Sequence, residues 1–232
     1  VLLRAGAQVG RVLPGLVMPL ARRRMRSLVG HLIVDAEDSA LQAHLSGRRA
    51  AGFRLNVNLL GEAVLGEGEA ARRHAELLRV IERPEVDYVS VKLSAVVAQL
   101  NYWDFDGCVD RVTEALRPLF RRARATSPPT FVNLDMEEYH DLELTARAFM
   151  AVLDEPEFHS LDAGIVLQAY LPDSFDAVQG LAAWAGERGT RIVDGKPAGP
   201  GKVRLGSGAN LARERVAAEI QGWGLAPYGA MA

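Results

Sequence analysis

Cysteine is nearly missing from this chain of 232 residues: Cys108 stands alone, which excludes an internal disulfide and a cysteine-based metal cage. A cytosolic setting is expected on the same ground. Long apolar runs are missing too, none reaching the ~18 residues that a membrane-spanning helix requires. The best candidate, residues 9–34 (VGRVLPGLVMPLARRRMRSLVGHLIV), is broken by Pro14, Pro19 and five arginines. As a helix it carries a basic face, read either as solvated surface or as a peripheral contact with a membrane. No basic start followed by an apolar stretch and a cleavage site marks a signal peptide. Charge of one sign is not in excess: 27 Lys and Arg against 29 Asp and Glu leave a formal net charge of −2, so no global field draws nucleic acid or anionic lipid. Aromatic residues make up only 6%, and Trp103, Trp184 and Trp223 lie too far apart in sequence to imply stacked bases, so nucleic acid is not an expected partner. An initiating methionine is absent, and the opening VLLRAG reads as a cut through a longer protein.

What is present is ordinary for a soluble globular chain with a sizeable core, with 49% hydrophobic and 24% charged residues. Residues 11–34 and 37–51 read as two helices, the second ending near Gly52. From residue 53 the texture changes. Short β-rich runs at 53–60, 87–95, 130–138, 163–171 and 201–209 alternate with amphipathic stretches at 67–83, 107–124, 140–153, 173–188 and 209–221. The expected organisation is therefore a helical segment over 1–52 and an α/β domain over 53–232. Strand–helix alternation argues a parallel sheet with helices packed outside it, either open or closed into a barrel.

The faces of the strands decide between the two. Asn56 and Asn58 oppose Leu55, Val57 and Leu59; Ser90 and Lys92 oppose Val89 and Val91; Asn133 and Asp135 oppose Val132 and Leu134. Gln168 opposes Ile165, Leu167 and Ala169, and Arg204 opposes Val203 and Leu205. An open sheet covered on both sides has apolar residues on both faces. Here one face suits helices and the other converges on polar groups late in each strand, as in a (β/α)8 barrel, whose chemistry sits at the C-terminal rim. Residues 58, 92, 135, 168 and 204 are separated by 34, 43, 33 and 36 residues, a fair length for one strand–helix unit. Ionic groups facing a lumen are costly unless paired. The set is read either as a structural network of Lys92–Asp135 and Asp135–Arg204 bridges or as a site completed by an anionic or electron-rich ligand. Asp135, Glu137, Glu138 and His140 have metal-binding residue types but no recognised ligand spacing, so no metal is expected.

Six stretches, NLLGEAVLGEGEA, YVSVKLSA, FVNLDMEEYHDLELT, GIVLQAYLPDS, KVRLGSGANLARERV and GWGLAPY, resemble the proline dehydrogenase domain of the bifunctional proline-utilisation A flavoenzymes, in that family's order and over about residues 53–228. The resemblance implies a (β/α)8 barrel that binds FAD and oxidises L-proline to 1-pyrroline-5-carboxylate, with electrons passing on to a membrane quinone. It implies that Arg204 hydrogen-bonds near flavin N5, Gln168 contacts the isoalloxazine edge, and Gly208 and Ala209 line the flavin. Lys92 would pair with the substrate carboxylate, Asp135 would orient the cations, and Glu62 resembles a gate residue. A fused NAD-dependent aldehyde dehydrogenase is an implied partner domain.

Two departures qualify this picture. The family usually reads Arg-Leu-Val-Lys-Gly-Ala where this chain has RLGSGA, so Gly206 and Ser207 remove a cation beside the flavin and loosen the backbone. Five strand–helix units also fall short of the ~250 residues of a full barrel. The expected fold is thus a partial barrel, preceded by two helices. The expectation for the isolated chain is that it lacks the activity of its parent. Two other readings stay open: a non-catalytic barrel remnant acting as a scaffold, and another barrel enzyme, such as a Schiff-base aldolase using Lys92 and Asp135.

Overall fold

The computed structural model describes residues 14–30, 32–34, 36–59, 63–190, 192–193, 196–199, 201–206, 210–224 and 227–228. The chain divides into two compact units, Val1–Arg54 and Leu55–Ala232. In the first unit, helix α1 spans Pro14–Val29 and α2 spans Asp38–Ala50. Helix α2 has Asp38 in its first turn and Arg48 and Arg49 in its last, both favourable to the helix dipole. It stops where Gly52 takes a φ of 85°, a left-handed conformation that glycine adopts without strain.

The second unit carries strands β1 (Val57–Asn58), β2 (Tyr88–Val91), β3 (Phe131–Asp135), β4 (Ala163–Gln168) and β7 (Gly201–Gly206) in a parallel sheet of order β1-β2-β3-β4-β7. Helices α3 (Glu67–Ile81), α4 (Leu93–Val96), α5 (Phe105–Ala125), α6 (Asp141–Leu153), α7 (Ser174–Gly189) and α8 (Leu211–Gln221) fill the connections. A small antiparallel hairpin, β5 (Ile192–Val193) with β6 (Lys196–Pro197), sits between α7 and β7. Strand order follows chain order without reversal, which is the wall of a barrel and not the doubly wound alternative. Helices α3, α5, α6 and α7 pack each against the next, forming one continuous outer layer.

The outer strand residues Val89, Val91, Val132, Leu134, Ile165 and Leu167 are all 1% exposed or less. Against them α5 offers Cys108, Val112, Leu116, Leu119, Phe120 and Ala123, a buried stripe at helical spacing. Fully burying one such Val, Leu or Phe contributes roughly 1.5–3 kcal/mol, so this seam is a substantial part of the unit's apolar stabilisation. The strands are shorter than the sequence implies: after Val91 the chain leaves the ladder, and Lys92 leads directly into α4. On β7 the outward Val203 and Leu205 are 39% and 56% exposed.

Arg188 joins the C-terminal turns of this layer. It is 1% exposed and lies in the last turn of α7. Its guanidinium donates to the backbone carbonyls of Phe158 at 2.7 Å, His159 at 3.0 Å, Gly199 at 3.2 Å and Leu161 at 3.3 Å, and also to that of Leu153. One buried cation thus serves the end of α6, the turn before β4 and the approach to β7.

Candidate active site

The parallel register places the polar side chains on one face. Asn58, Ser90, Asn133, Gly164 and Lys202 lie side by side across the five strands. One step toward the C-terminal rim, Asp135, Val166 and Arg204 form the next row. Gln168 ends β4 beside Gly206, a further step along. Lys92 follows β2 immediately and precedes α4 in extended conformation. Lys92, Asp135, Gln168 and Arg204 therefore gather at the C-terminal end of one sheet face. Glu62, Gly208 and Ala209 lie outside the described residues.

Asp135 is held by neutral donors. Asn133 Nδ2 donates to its Oδ1 at 2.6 Å, Ser90 Oγ to the same oxygen at 3.2 Å, and Asn58 Nδ2 to Oδ2 at 3.2 Å. Burial raises the Asp135 carboxyl above its ordinary range, against the lowering influence of the Ser90 hydroxyl, Arg204 and Asn133. The Lys92–Asp135 and Asp135–Arg204 bridges of the structural-network reading are not among the ion pairs of the described residues. Lys92 Nζ instead meets Glu137 Oε2 at 2.6 Å, because Glu137 stands in the loop after β3 and reaches back across the rim. Helix α6 begins only at Asp141, which leaves Glu137 in the preceding loop for Lys92 and Glu138 for Arg213, whose Nη1 lies 3.1 Å away.

Gln168 is 9% exposed, with Nε2 donating to the Met136 carbonyl at 2.8 Å and Oε1 lacking a partner among the described residues. The absent side chain of Gly206 leaves room there, since a Cβ would come within 3.0 Å of that oxygen. Arg204 is exposed and makes no hydrogen bond or ion pair among the described residues. At the opposite end of the face, Tyr88 and Phe131 pack edge to face at 5.0 Å, and Lys202 Nζ lies 5.4 Å and 5.8 Å from their ring centroids. A separate cleft of about 640 Å³ lies between α6 and α7, lined in part by Tyr102, Phe105, Tyr139 and Met150, and it includes none of the four rim residues.

The loop after β3 is also fastened to α8. Tyr139 stacks on Trp223 with centroids 4.1 Å apart, its backbone N–H donates to Glu214 Oε1 at 3.0 Å, and its hydroxyl donates to Asp173 at 2.7 Å. Asn210 Nδ2 donates to the Glu137 carbonyl at 3.1 Å. No local pattern announces these contacts, since the partners lie up to 84 residues apart.

Burial holds the Glu214 carboxyl above its ordinary range, opposed chiefly by the Tyr139 N–H. An acid raised in this way binds its proton more readily folded than unfolded, so stability falls as pH rises through the interval between the unfolded and folded values. The gap in melting temperature between the parent chain and Glu214→Gln is accordingly expected to move in the parent's favour as pH drops through that interval. A gap that stays constant with pH would contradict the assignment.

Comparison with protein families matches residues 40–229 to Proline dehydrogenase. The chain belongs to the proline dehydrogenase family. Among solved structures, proline utilization A from Corynebacterium freiburgense is 50% identical with a TM-score of 0.80, over 95% of this chain and 23% of that one. Proline utilization A from Bdellovibrio bacteriovorus, inactivated by N-propargylglycine, is 31% identical with a TM-score of 0.77, over 93% of this chain and 24% of that one. This proline dehydrogenase domain thus spans about a quarter of the length of those two proteins. No curated protein matches it. The partial-barrel α/β fold expected from the sequence agrees with these neighbours and with the ordered parallel sheet.

Proposed function

We propose that this domain oxidises L-proline to 1-pyrroline-5-carboxylate with FAD. The observation that carries the proposal is the buried Oε1 of Gln168 beside Gly206 and the guanidinium of Arg204, both without a hydrogen-bond partner among the described residues and at one rim. An orphaned acceptor, a space without a Cβ and an exposed cation fit the polar edge of an isoalloxazine ring. FAD, when bound, supplies the two-electron acceptor; proline loses a hydride from the carbon beside its nitrogen and a proton from the nitrogen, leaving a C=N bond. Gln168 would hold the ring edge, Arg204 would face developing negative charge, and Gly208 and Ala209 would line the cofactor, with Glu62 as a gate. Lys92 would receive the substrate carboxylate, with Glu137 keeping the ammonium at the rim between turnovers. Asp135 orients cations and does not act as a base. A Schiff-base role for Lys92 would first require its release from Glu137. Adding L-proline anaerobically to the FAD-loaded full-length protein that carries this domain is expected to bleach the flavin's visible band, whereas these 232 residues alone are expected not to do so; a band that persists in the full-length protein at saturating proline would overturn the assignment.

A quinone is the proposed onward acceptor, a membrane surface the proposed meeting place, and an NAD-dependent aldehyde dehydrogenase the proposed fused partner. Helix α1 supports the membrane contact: Met18, Met25 and Leu28 are exposed on a helix that also carries Arg22, Arg23, Arg24 and Arg26. No helix among the described residues is long and apolar enough to cross a bilayer. Co-sedimentation with phosphatidylserine vesicles is expected, weakened roughly thirtyfold when Arg22 and Arg26 are replaced by Ala. Equal binding to neutral vesicles would contradict it.

A further inference from the structure

We propose that Asn56, Asn58, Ser90 and Asn133 are positioning residues for Asp135: Asn133 and Ser90, the latter set by Asn56, fill Oδ1 inside the protein, while Asn58 takes one position on Oδ2 and leaves the other open at the rim to receive a cationic donor. The inference rests on the proline-oxidising reading of this face. Oδ1 accepts two hydrogen bonds, from Asn133 and Ser90, whereas Oδ2 accepts one, from the exposed Asn58. A carboxylate oxygen has room for two, so the open position is on Oδ2. The Ser90 hydroxyl has no freedom to turn away. Its oxygen accepts from Asn56 Nδ2 at 2.8 Å, which leaves its single proton for Asp135.

Asn133 is fixed in the same way. It is fully buried, and its Nδ2 faces both Asp135 and, at 3.5 Å, Ser90. Its Oδ1 is consequently turned toward β4, where a Cβ on Gly164 would come within 2.6 Å of it. The glycine is what admits this orientation of the amide. All four donors are neutral. The charged or titratable groups that act on Asp135 are Arg204 on β7, Tyr88 on β2 and Glu137 in the following loop, itself paired with Lys92. None of these forms an ion pair with Asp135, so its charge is retained for a group that arrives with the ligand.

The test reads the carboxylate directly. In the chain labelled with ¹³C at aspartate Cγ, the Asp135 resonance is titrated in the parent and in Ser90→Ala, Asn58→Ala and Ser90→Thr. Removing the Ser90 hydroxyl is expected to raise the midpoint by about one pH unit, a tenfold change in proton affinity. Asn58→Ala, at an exposed position, raises it less, and Ser90→Thr, which keeps the hydroxyl, returns it to the parent value. Circular dichroism controls for folding. Midpoints unchanged in both alanine variants would overturn the positioning role, even in a protein that reduces flavin with proline. Failure of the parent to reduce flavin would instead overturn the proposed activity and leave the titration result standing.

Discussion

Arg188→Met is expected to lower the free energy of unfolding by roughly 3–5 kcal/mol, read as an earlier midpoint in urea. Methionine fills much of the arginine stem's volume, so the loss is polar. The carbonyls of Leu153, Leu161 and Gly199 lose the donor that Arg188 provides, while those of Phe158 and His159 keep bonds from the Leu161 and Gly199 N–H groups. Hydrogen bonds to a charged group are worth about 1.5–3 kcal/mol each, and a buried acceptor left unmade costs about 1–3 kcal/mol. Arg188→Lys keeps the charge but has three donors at one point where the guanidinium has a planar fork of five, so it is expected to fall between the two. A methionine variant as stable as the parent would show that the carbonyls find water, and the layer would then owe its cohesion to packing alone.

Arg204→Met is expected to slow proline-dependent flavin reduction by roughly a hundredfold to a thousandfold, the cost of removing one preplaced donor from developing charge. Arg204 is level with Val166, which is level with Asp135, so its guanidinium belongs to the same row as the carboxylate. It lowers the carboxyl of Asp135 and the phenol of Tyr88 through space without bonding to either. A side chain held near a site yet not engaged by the described residues has its donors available to a ligand. The concentration of proline giving half-maximal rate should change much less than the rate itself, because the substrate carboxylate is assigned to Lys92. FAD content must be measured alongside, since a variant that reduces flavin slowly with full occupancy supports the role, and an unimpaired rate refutes it.

Much of the site face was legible because β-strand alternation is a local rule. Asn58, Ser90, Asn133 and Asp135 share a face by parity alone, and the register confirms their alignment. The order of strands was legible from the spacing of strand–helix units. What parity cannot supply is the partner of each group. Lys92 has Asp135 as its obvious counter-ion by row, but Glu137 wins because the chain leaves the ladder after Asp135 and turns over the rim before α6 begins. The Tyr139–Trp223 stack and the Arg188 carbonyl cluster were invisible for a different reason. A tyrosine in the loop after β3, a tryptophan just past α8 and an arginine in the last turn of α7 carry no marker of their contacts; only the assembled layer brings each to its partners. Gly164 was likewise silent, since its role is to be empty next to an amide whose orientation is set by β2 and β3.

The clasp between the loop after β3 and helix α8 has a temporal consequence. Glu137, which steadies Lys92, is gripped through its own carbonyl by Asn210, and its neighbours Glu138 and Tyr139 by Arg213, Glu214 and Trp223. During synthesis the ribosome delivers Lys92 and Glu137 long before it delivers those clasping residues. The rim of the nascent chain therefore stays unset until α8 has emerged, and the early strands alone do not hold Lys92 and Glu137 in their final places.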